Sequence, residues 1–363
     1  MQEEYMRRAI ELAKLGEGFV NPNPMVGAVI VKDGKIIGEG YHARYGDMHA
    51  ERNALVSLTE SAEGAEMYVT LEPCCHHGKQ PPCTEAIIDA GIKTVYVGSM
   101  DPNAMVAGKG VRMLEMAGIE VHTGVMKEEC DALNPIFFHY ISTGKPYVIM
   151  KYAMTMDGKI AAYTGKSQWI TGEEARAHVQ HTRNRCAAIM VGVGTVLQDN
   201  PRLTCRLEGG SNPVRIICDS QLRTPLDSVI VQTANEVATY IATISEDKEA
   251  IAKYEELGVH VICTPMCDGK VDLAWLMTML GENGIDSVLL EGGSTLNYSA
   301  MQAGIVDHVQ VYIAPKIFGG DGRYTPIRGL GVEEPNQAFM CGTPTITTFG
   351  DDVLLEYDVR NEE

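Results

Sequence analysis

Residues 49–83 read HAERNALVSLTESAEGAEMYVTLEPCCHHGKQPPC, and the order of side chains in this stretch decides how the rest is read. Glu51 follows His49 at a spacing of two. The apolar run Met67-Tyr68-Val69-Thr70-Leu71 reads as a strand that ends at Pro73-Cys74. Cys83 opens a helical run, Cys83 to Ile88, and His49 precedes another, Ala50 to Leu58. One imidazole and two thiols make three zinc ligands and leave a fourth position for water. An open position belongs to catalytic zinc, because structural zinc is closed by four protein ligands. Glu51 can move protons at that position without touching the metal. A thiolate at a helix start gains from free N–H groups and from the helix dipole.

Each piece alone has a plainer reading. A lone His-x-Glu usually marks an exposed helix start, and a free Cys is often a small buried hydrophobe. In conjunction, H-x-E followed by P-C and a second Cys is the pattern of zinc nucleobase deaminases. The compact form of that pattern has two residues between its cysteines, whereas eight separate Cys74 from Cys83 here. Cys75, His76 and His77 are rival ligands on paper. Cys74 and Cys83 are preferred because one ends the strand and the other starts the helix. The excursion between them is then free to carry Lys79 towards an anionic substrate.

At 363 residues the chain suits two domains. It is 45% apolar with a mean hydropathy of −0.07, enough for ordinary cores. No apolar stretch is long enough to span a membrane, and Met1 to Arg8 has mixed charges and no apolar core after it, unlike a signal peptide. Ten cysteines without regular spacing fit a reducing cytoplasm better than a disulfide framework. The net charge is −18; residues 1–145 carry 13 Lys and Arg against 20 Asp and Glu, and the remainder 17 against 28. Two acidic halves disfavour a broad nucleic-acid footprint. The expected partner is a small molecule, with no nucleic acid and no membrane, and the expected assembly is a homo-oligomer.

In chain order, the first half reads as a helix at 3–16, a loop at Asn21-Pro22-Asn23-Pro24 and a β-hairpin at 25–40. Then come helix 50–62, strand 67–71, helix 83–91, strand 94–98, helix 109–117, strand 119–122 and helix 127–143. This predicts a three-layer αβα domain with about five strands. Asn23, His42 and Asp101-Pro102-Asn103 fall in loops beside strands, where ligands are read, although Asn-Pro and Asp-Pro are first of all turn formers. Ser142 to Pro146 marks a boundary, giving domains 1–145 and 146–363. The second half alternates again, with strands at 147–151, 187–193, 214–218, 228–231, 238–243, 259–263, 286–291, 308–313 and 353–358. Helices are expected at 173–184, 246–257, 272–281 and 295–303.

Two glycine turns stand out in this half. Val191-Gly192-Val193-Gly194-Thr195 begins like a dinucleotide fingerprint, but Leu197 occupies the place of the third glycine, so a Rossmann unit is unsupported. Leu289-Leu290-Glu291-Gly292-Gly293-Ser294-Thr295 follows a strand and opens a helix, where free N–H groups can bind phosphate. The plain alternative is a tight turn without a ligand.

Together these residues resemble the bifunctional deaminase/reductase family of riboflavin biosynthesis. In the first half the resemblance rests on Asn21 to Gly27, His49-Ala50-Glu51, Thr70 to Cys74 and Pro81-Pro82-Cys83. In the second it rests on Lys151 to Ala161, Ser167 to Thr171, Gly192 to Thr195, Asp199-Asn200-Pro201 and Glu291-Gly292-Gly293. The eight-residue spacing is the family's own. Cys75 and Thr155 depart from it, since Ser is usual at both positions. The resemblance implies a cytidine-deaminase-like first domain and a dihydrofolate-reductase-like α/β second domain. It implies hydrolytic removal of a pyrimidine 2-amino group and NADPH-dependent reduction of ribosyl to ribityl.

Residue by residue, it implies one zinc on His49, Cys74 and Cys83, with Glu51 as proton shuttle and Asn23, His42, Lys79, Asp101 and Asn103 lining the pocket. Ala153, Trp169, Thr195, Asp199, Ser220 and the turn Gly293, Ser294, Thr295 and Leu296 would meet NADPH. Ser167, Arg183, Leu203, Arg206 and Glu291 would meet the second substrate, with Arg183 and Arg206 suited to its phosphate. Lys151 and Glu291 are both placed at strand ends and read as handling protons around the opening sugar; the plain reading of Lys151 is a salt-bridged surface lysine. Two rival functions remain at this level: a tRNA or free-nucleobase deaminase with an unrelated C-terminal half, and a non-catalytic zinc module that binds a nucleotide. The acidic surface weighs against the first. Glu51 weighs against the second, because structural zinc has no use for an acid beside an open position.

Overall fold

The computed structural model describes residues 2–77, 80–103 and 107–360. They form two compact units, residues 1–144 and 145–363. Among the described residues no helix is long and apolar enough to cross a membrane.

The first unit runs α1 (Gln2–Lys14), β1 (Gly27–Lys32), β2 (Lys35–Tyr41), α2 (Ala50–Val56), β3 (Glu66–Leu71), α3 (Cys83–Asp89), β4 (Thr94–Ser99), α4 (Lys109–Met116), β5 (Glu120–Thr123), α5 (Lys127–Asp131) and α6 (Pro135–Thr143). Its five strands lie in the order β2-β1-β3-β4-β5. β1 is antiparallel to β2 and β3, and β3-β4-β5 are parallel. β3 and β4 are buried along almost their whole length because helices cover both faces. One apolar layer packs Ala50 and Ala54 with Ile30, Val69 and Ile87, and the opposite layer packs Met6, Ala9 and Ala13 with Val29 and Tyr68. The seat of α2 is Gly40: a Cβ there would come within 2.2 Å of the Ala54 nitrogen, so the helix rests directly on the β2 backbone.

The second unit runs β6 (Tyr147–Thr155), α7 (Glu173–Arg185), β7 (Ala188–Gly192), α8 (Val193–Asp199), β8 (Val214–Cys218), α9 (Val229–Gln232), β9 (Thr239–Thr243), α10 (Lys248–Glu255), β10 (His260–Cys263), β11 (Met266–Cys267), β12 (Lys270–Val271), α11 (Leu273–Glu282), β13 (Ser287–Leu290), α12 (Ser294–Gln302), β14 (His308–Ala314), β15 (Thr345–Phe349) and β16 (Asp352–Asp358). Its nine-stranded sheet has the order β10-β9-β8-β7-β13-β6-β14-β16-β15. The first seven are parallel, and β16 and β15 close the edge antiparallel. From β7 the chain winds outward to β10 and then returns to insert β13 between β7 and β6. That reversal opens a crevice at the carboxyl ends of the strands.

Several expectations need correction. The strand expected at 228–231 is α9: Ser228-Val229-Ile230-Val231 is a short apolar run, which periodicity alone does not resolve, and Ile230 and Val231 are core residues. The helix expected over 127–143 breaks at Asn134-Pro135. There Asn134 pairs with both backbone groups of Met25 at 2.8 Å, and Pro135 starts a new helix. The helix expected to reach residue 62 stops at Val56, because Ser57 and Thr59 bond to the β2 backbone instead. Strand β15 was not expected. Lys151 is in the middle of β6, not at a strand end.

Candidate active sites

In the first unit three strand or helix ends converge. His49 is the N-cap of α2, Cys74 follows β3, and Cys83 is the first residue of α3. His49 Nδ1 lies 3.5 Å from Cys74 Sγ and 3.4 Å from Cys83 Sγ. All three donor atoms fall within 4.8 Å of one another, and this is the candidate metal cluster found among the described residues. Donors about 2.0–2.1 Å (nitrogen) and 2.3 Å (sulfur) from a tetrahedral ion stand about 3.6 Å apart, so the donor set fits zinc. The Cys83 N–H donates to Cys74 Sγ at 3.3 Å. The Cys83 thiol, His49 and that N–H together hold the Cys74 thiol well below its usual range, which favours the thiolate a soft metal needs. Arg52, which the sequence reading passed over, donates to the Pro81 and Pro82 carbonyls at 3.2 and 2.9 Å and ties down the chain entering Cys83.

Glu51, in the first turn of α2, is 3% exposed. Burial, then the Cys74 charge, pushes its carboxyl above the usual range. A cavity of about 320 Å³ opens in front of the cluster, and Asn23, His42, Asp101 and Asn103 all line it. His42 contacts the Met48 carbonyl through Nδ1 at 3.1 Å and the Asn23 amide through Nε2 at 3.2 Å. Burial lowers its pKa, so the ring is neutral: Nδ1–H donates and Nε2 accepts. Asp101 is pushed up to about 6, mainly by burial. Lys79 lies outside the described residues. Glu72 and Tyr140 also line the cavity without having been assigned to it from sequence, as does His76, which was weighed only as a rival metal ligand; their position depends on where the loop and α6 fold back.

In the second unit a cleft of about 610 Å³ sits at the carboxyl ends of β7, β8 and β13. Ser167, Thr195, Asp199, Ser220, Gly293, Ser294, Thr295 and Leu296 line it. Gly293, the N-cap of α12, has φ +90°, a conformation open to glycine. Ala153 and Trp169 do not appear among its lining residues; Trp169 is 59% exposed with Arg176 stacked 4.7 Å from its ring centre.

Lys151, Arg183, Arg206 and Glu291 form a separate charged cluster. Arg183 donates to both Glu291 oxygens, Nε–Oε1 at 2.7 Å and Nη2–Oε2 at 2.8 Å, and Nη1 donates to the Thr204 carbonyl at 3.0 Å. The guanidinium fork read as suited to a phosphate is therefore filled by Glu291. Burial alone would raise the Glu291 pKa; Arg183, then Lys151, outweigh it and hold the carboxyl at about 2. Burial lowers the Lys151 pKa. Leu203 has its side chain in the apolar core at 4% exposure, so only its backbone can face a ligand.

Residues 146–355 match the family model described as the RibD C-terminal domain, and residues 1–99 match the cytidine and deoxycytidylate deaminase zinc-binding region. The chain is 57% identical to riboflavin biosynthesis protein RibD of Actinobacillus pleuropneumoniae, over 98% of this chain and 95% of that protein. It is 44% identical to the Escherichia coli protein of the same name, over 89% and 90%. Among solved structures it resembles a diaminohydroxyphosphoribosylaminopyrimidine deaminase/5-amino-6-(5-phosphoribosylamino)uracil reductase from Thermotoga maritima. That likeness has a TM-score of 0.86 at 40% identity and covers 99% of both chains. It resembles Acinetobacter baumannii RibD with a TM-score of 0.88 at 36% identity, also over 99% of both.

Proposed function

The chain belongs to the RibD family of riboflavin-biosynthesis proteins, and on that premise we propose how its residues divide the work. It is a bifunctional enzyme, a zinc-dependent deaminase and an NADPH-dependent reductase. It removes an amino group hydrolytically from 2,5-diamino-6-ribosylamino-4(3H)-pyrimidinone 5′-phosphate and reduces the ribosyl group to ribityl. The unrelated C-terminal half that a tRNA deaminase would need is excluded by the match of residues 146–355. We assign deamination to residues 1–145 and reduction to residues 146–363.

The observation that carries the deaminase assignment is a buried carboxylate, Glu51, beside a three-donor His49/Cys74/Cys83 cluster. His49, Cys74 and Cys83 would hold a zinc ion, and that ion would supply an acidified water at neutral pH. Glu51 takes one proton from the attacking water and passes it to the ring nitrogen, then takes the second from the hydroxyl left on the ring carbon and gives it to the amine, which departs as ammonia. Asn23, neutral His42, Asp101 and Asn103 orient the ring.

In the reductase, bound NADPH would supply the hydride. We assign its diphosphate to the turn Gly293, Ser294, Thr295 and Leu296, and its nicotinamide end to Thr195 and Asp199. Lys151 Nζ, whose proton burial loosens, donates to the sugar ring oxygen as the ribosyl ring opens. Glu291 stays ionised beside it and steadies the lysine's charge. Ten cysteines with no disulfide among the described residues support a reducing cytoplasm. The exposed apolar side chains Leu330, Val332, Phe339 and Met340 support a homo-oligomer.

The test is Glu51→Gln. The variant should keep one zinc per chain and lose ammonia release by at least ~100-fold, the lower range for general acid–base catalysis. Its NADPH oxidation on the already deaminated intermediate should match the wild type. Normal ammonia release would remove Glu51 from the mechanism.

A further inference from the structure

Glu72 plays no part in the chemistry above, yet it joins the metal side of the deaminase cavity to the substrate side. It follows the last residue of β3 and precedes Pro73-Cys74, and it is 3% exposed. Its carboxylate accepts four backbone N–H groups. Oε1 takes those of Gly110 at 2.9 Å and Val111 at 3.2 Å, in the first turn of α4. Oε2 takes those of Gly108 at 2.9 Å and Asp101 at 3.4 Å. Its own N–H donates to the Ser99 carbonyl at 2.9 Å. One buried side chain thus gathers both ends of the connection from β4 to α4. Asp101 extends the arrangement, since its Oδ1 accepts the Asn103 N–H at 2.8 Å. The fit is close: a Cβ on Gly110 would stand 2.1 Å from the Pro73 carbonyl oxygen, so the first turn of α4 lies directly on the backbone that leads into Cys74. Buried carboxylates need such donors, and charge-assisted bonds of this kind are about twice as strong as neutral ones.

We propose that Glu72 is a positioning residue of the deaminase: its carboxylate fixes Asp101 and Asn103 against the strand end that bears Cys74, and so sets where the substrate ring lies relative to the metal donors. A carboxylate is the group suited to this, because it offers two acceptor oxygens and no donor. An amide of the same shape has one oxygen and one NH2. Whichever way it turns, two of the four N–H groups then face a donor. The proposal rests on the reading of Asp101 and Asn103 as substrate contacts.

The experiment uses the full-length, zinc-loaded enzyme and the diaminopyrimidine phosphate. Glu72→Gln should raise KM for deamination by at least ~10-fold, the weight of about one charge-assisted hydrogen bond, with a much smaller change in kcat. Zinc should stay at one per chain, and NADPH oxidation on the deaminated intermediate should be unchanged. Asp101→Asn should raise the same KM, and the double variant should be no worse than the poorer single one, since both act on one contact. If Asp101→Asn leaves KM unchanged, the reading of Asp101 as a contact is wrong and the proposal loses its route. If Asp101→Asn raises KM and Glu72→Gln does not, that reading survives and the positioning role is overturned. Fully multiplicative effects in the double variant, or zinc loss from Glu72→Gln, overturn it as well. Should Glu72→Gln not fold, Glu72→Asp keeps two acceptors on a shorter arm and should show a smaller rise in KM. Failure of both variants to fold would assign Glu72 to the fold alone.

Discussion

The Arg183–Glu291 pair can be tested without reference to catalysis, through stability. Its side chains are 12% and 9% exposed and meet in two parallel bonds. Arg183→Met removes the main partner of a carboxylate that has little water around it. Removing one partner of a buried pair costs about 3–5 kcal/mol. The remaining influence of Lys151 and Arg206 on Glu291 places the expectation at the lower end, about 3 kcal/mol. The pH dependence gives an independent figure. The Glu291 carboxyl is held at about 2 in the folded chain and titrates near ~4.3 when unfolded. A depressed carboxylate contributes stability that is complete above its unfolded pKa and is lost as pH falls through the folded one. The window is therefore about pH 4.3 down to 2, and a shift of just over two units corresponds to about 3 kcal/mol.

The chain offers a clean probe of this region. Its two tryptophans, Trp169 and Trp275, both lie in the second unit, so tryptophan fluorescence during urea unfolding follows that unit alone. Arg183→Met should lower its stability by about 3 kcal/mol at pH 7, and the deficit against wild type should shrink as pH falls towards 3. Replacing both partners, Arg183→Met with Glu291→Leu, should cost less than the single change, because no carboxylate is then stranded and Lys151 can shed its proton. A double variant less stable than the single one, or a deficit constant between pH 5 and 3, would refute the argument.

Two further outcomes are expected. Gly293→Val should raise KM for NADPH by at least ~10-fold through crowding of the diphosphate and strain at φ +90°; the nearest protein atom to an added Cβ is 3.5 Å away, and ammonia release should not change. An unaltered KM in steady-state NADPH oxidation would move the diphosphate elsewhere. Cys75→Ser should retain one zinc per chain by metal analysis, whereas Cys83→Ser should lose it; the reverse order would place the metal on Cys75.

What could be read from sequence depended on whether a residue's partner was encoded nearby or by type. The cluster of His49, Cys74 and Cys83 was legible as a conjunction, an imidazole and two thiols each at a strand or helix end, although each residue alone has a plainer use. The continuous apolar runs of β7 and β13 announced parallel strands buried on both faces. Glu72 was not legible, because its meaning lies in N–H groups of residues 108–111, and nothing in a glutamate before a proline announces them. Arg183 was read as suited to a substrate phosphate; Glu291, which meets its guanidinium here, is 108 residues away. The break at Asn134-Pro135 carried a visible signal, a proline at a helix start, which the apolar pattern of the flanking helices concealed.

The two sites obey one rule with one exception. In α/β units the crevice forms where strands end and helices begin, and that is where Cys74, His49, Cys83 and Asp101 lie in the first unit and Thr195, Ser220 and Gly293 in the second. Junction residues can be found from sequence because turn and cap chemistry marks the junction. Lys151 breaks the rule, since it leaves the face of β6 in mid-strand, where an alternating pattern offers only the choice of inside or outside. Its Nζ lies 5.5 Å from the centre of the Tyr312 ring, and its pKa answers first to burial and then to Glu291. The side chain is half-buried, beside the Tyr312 ring and within reach of the Glu291 charge. Its charge is favoured by a carboxylate that Arg183 already satisfies with two bonds, while burial opposes it. The ionised pair thus bears on a third residue: Arg183 keeps Glu291 charged, and Glu291 offsets part of what burial does to the charge of Lys151.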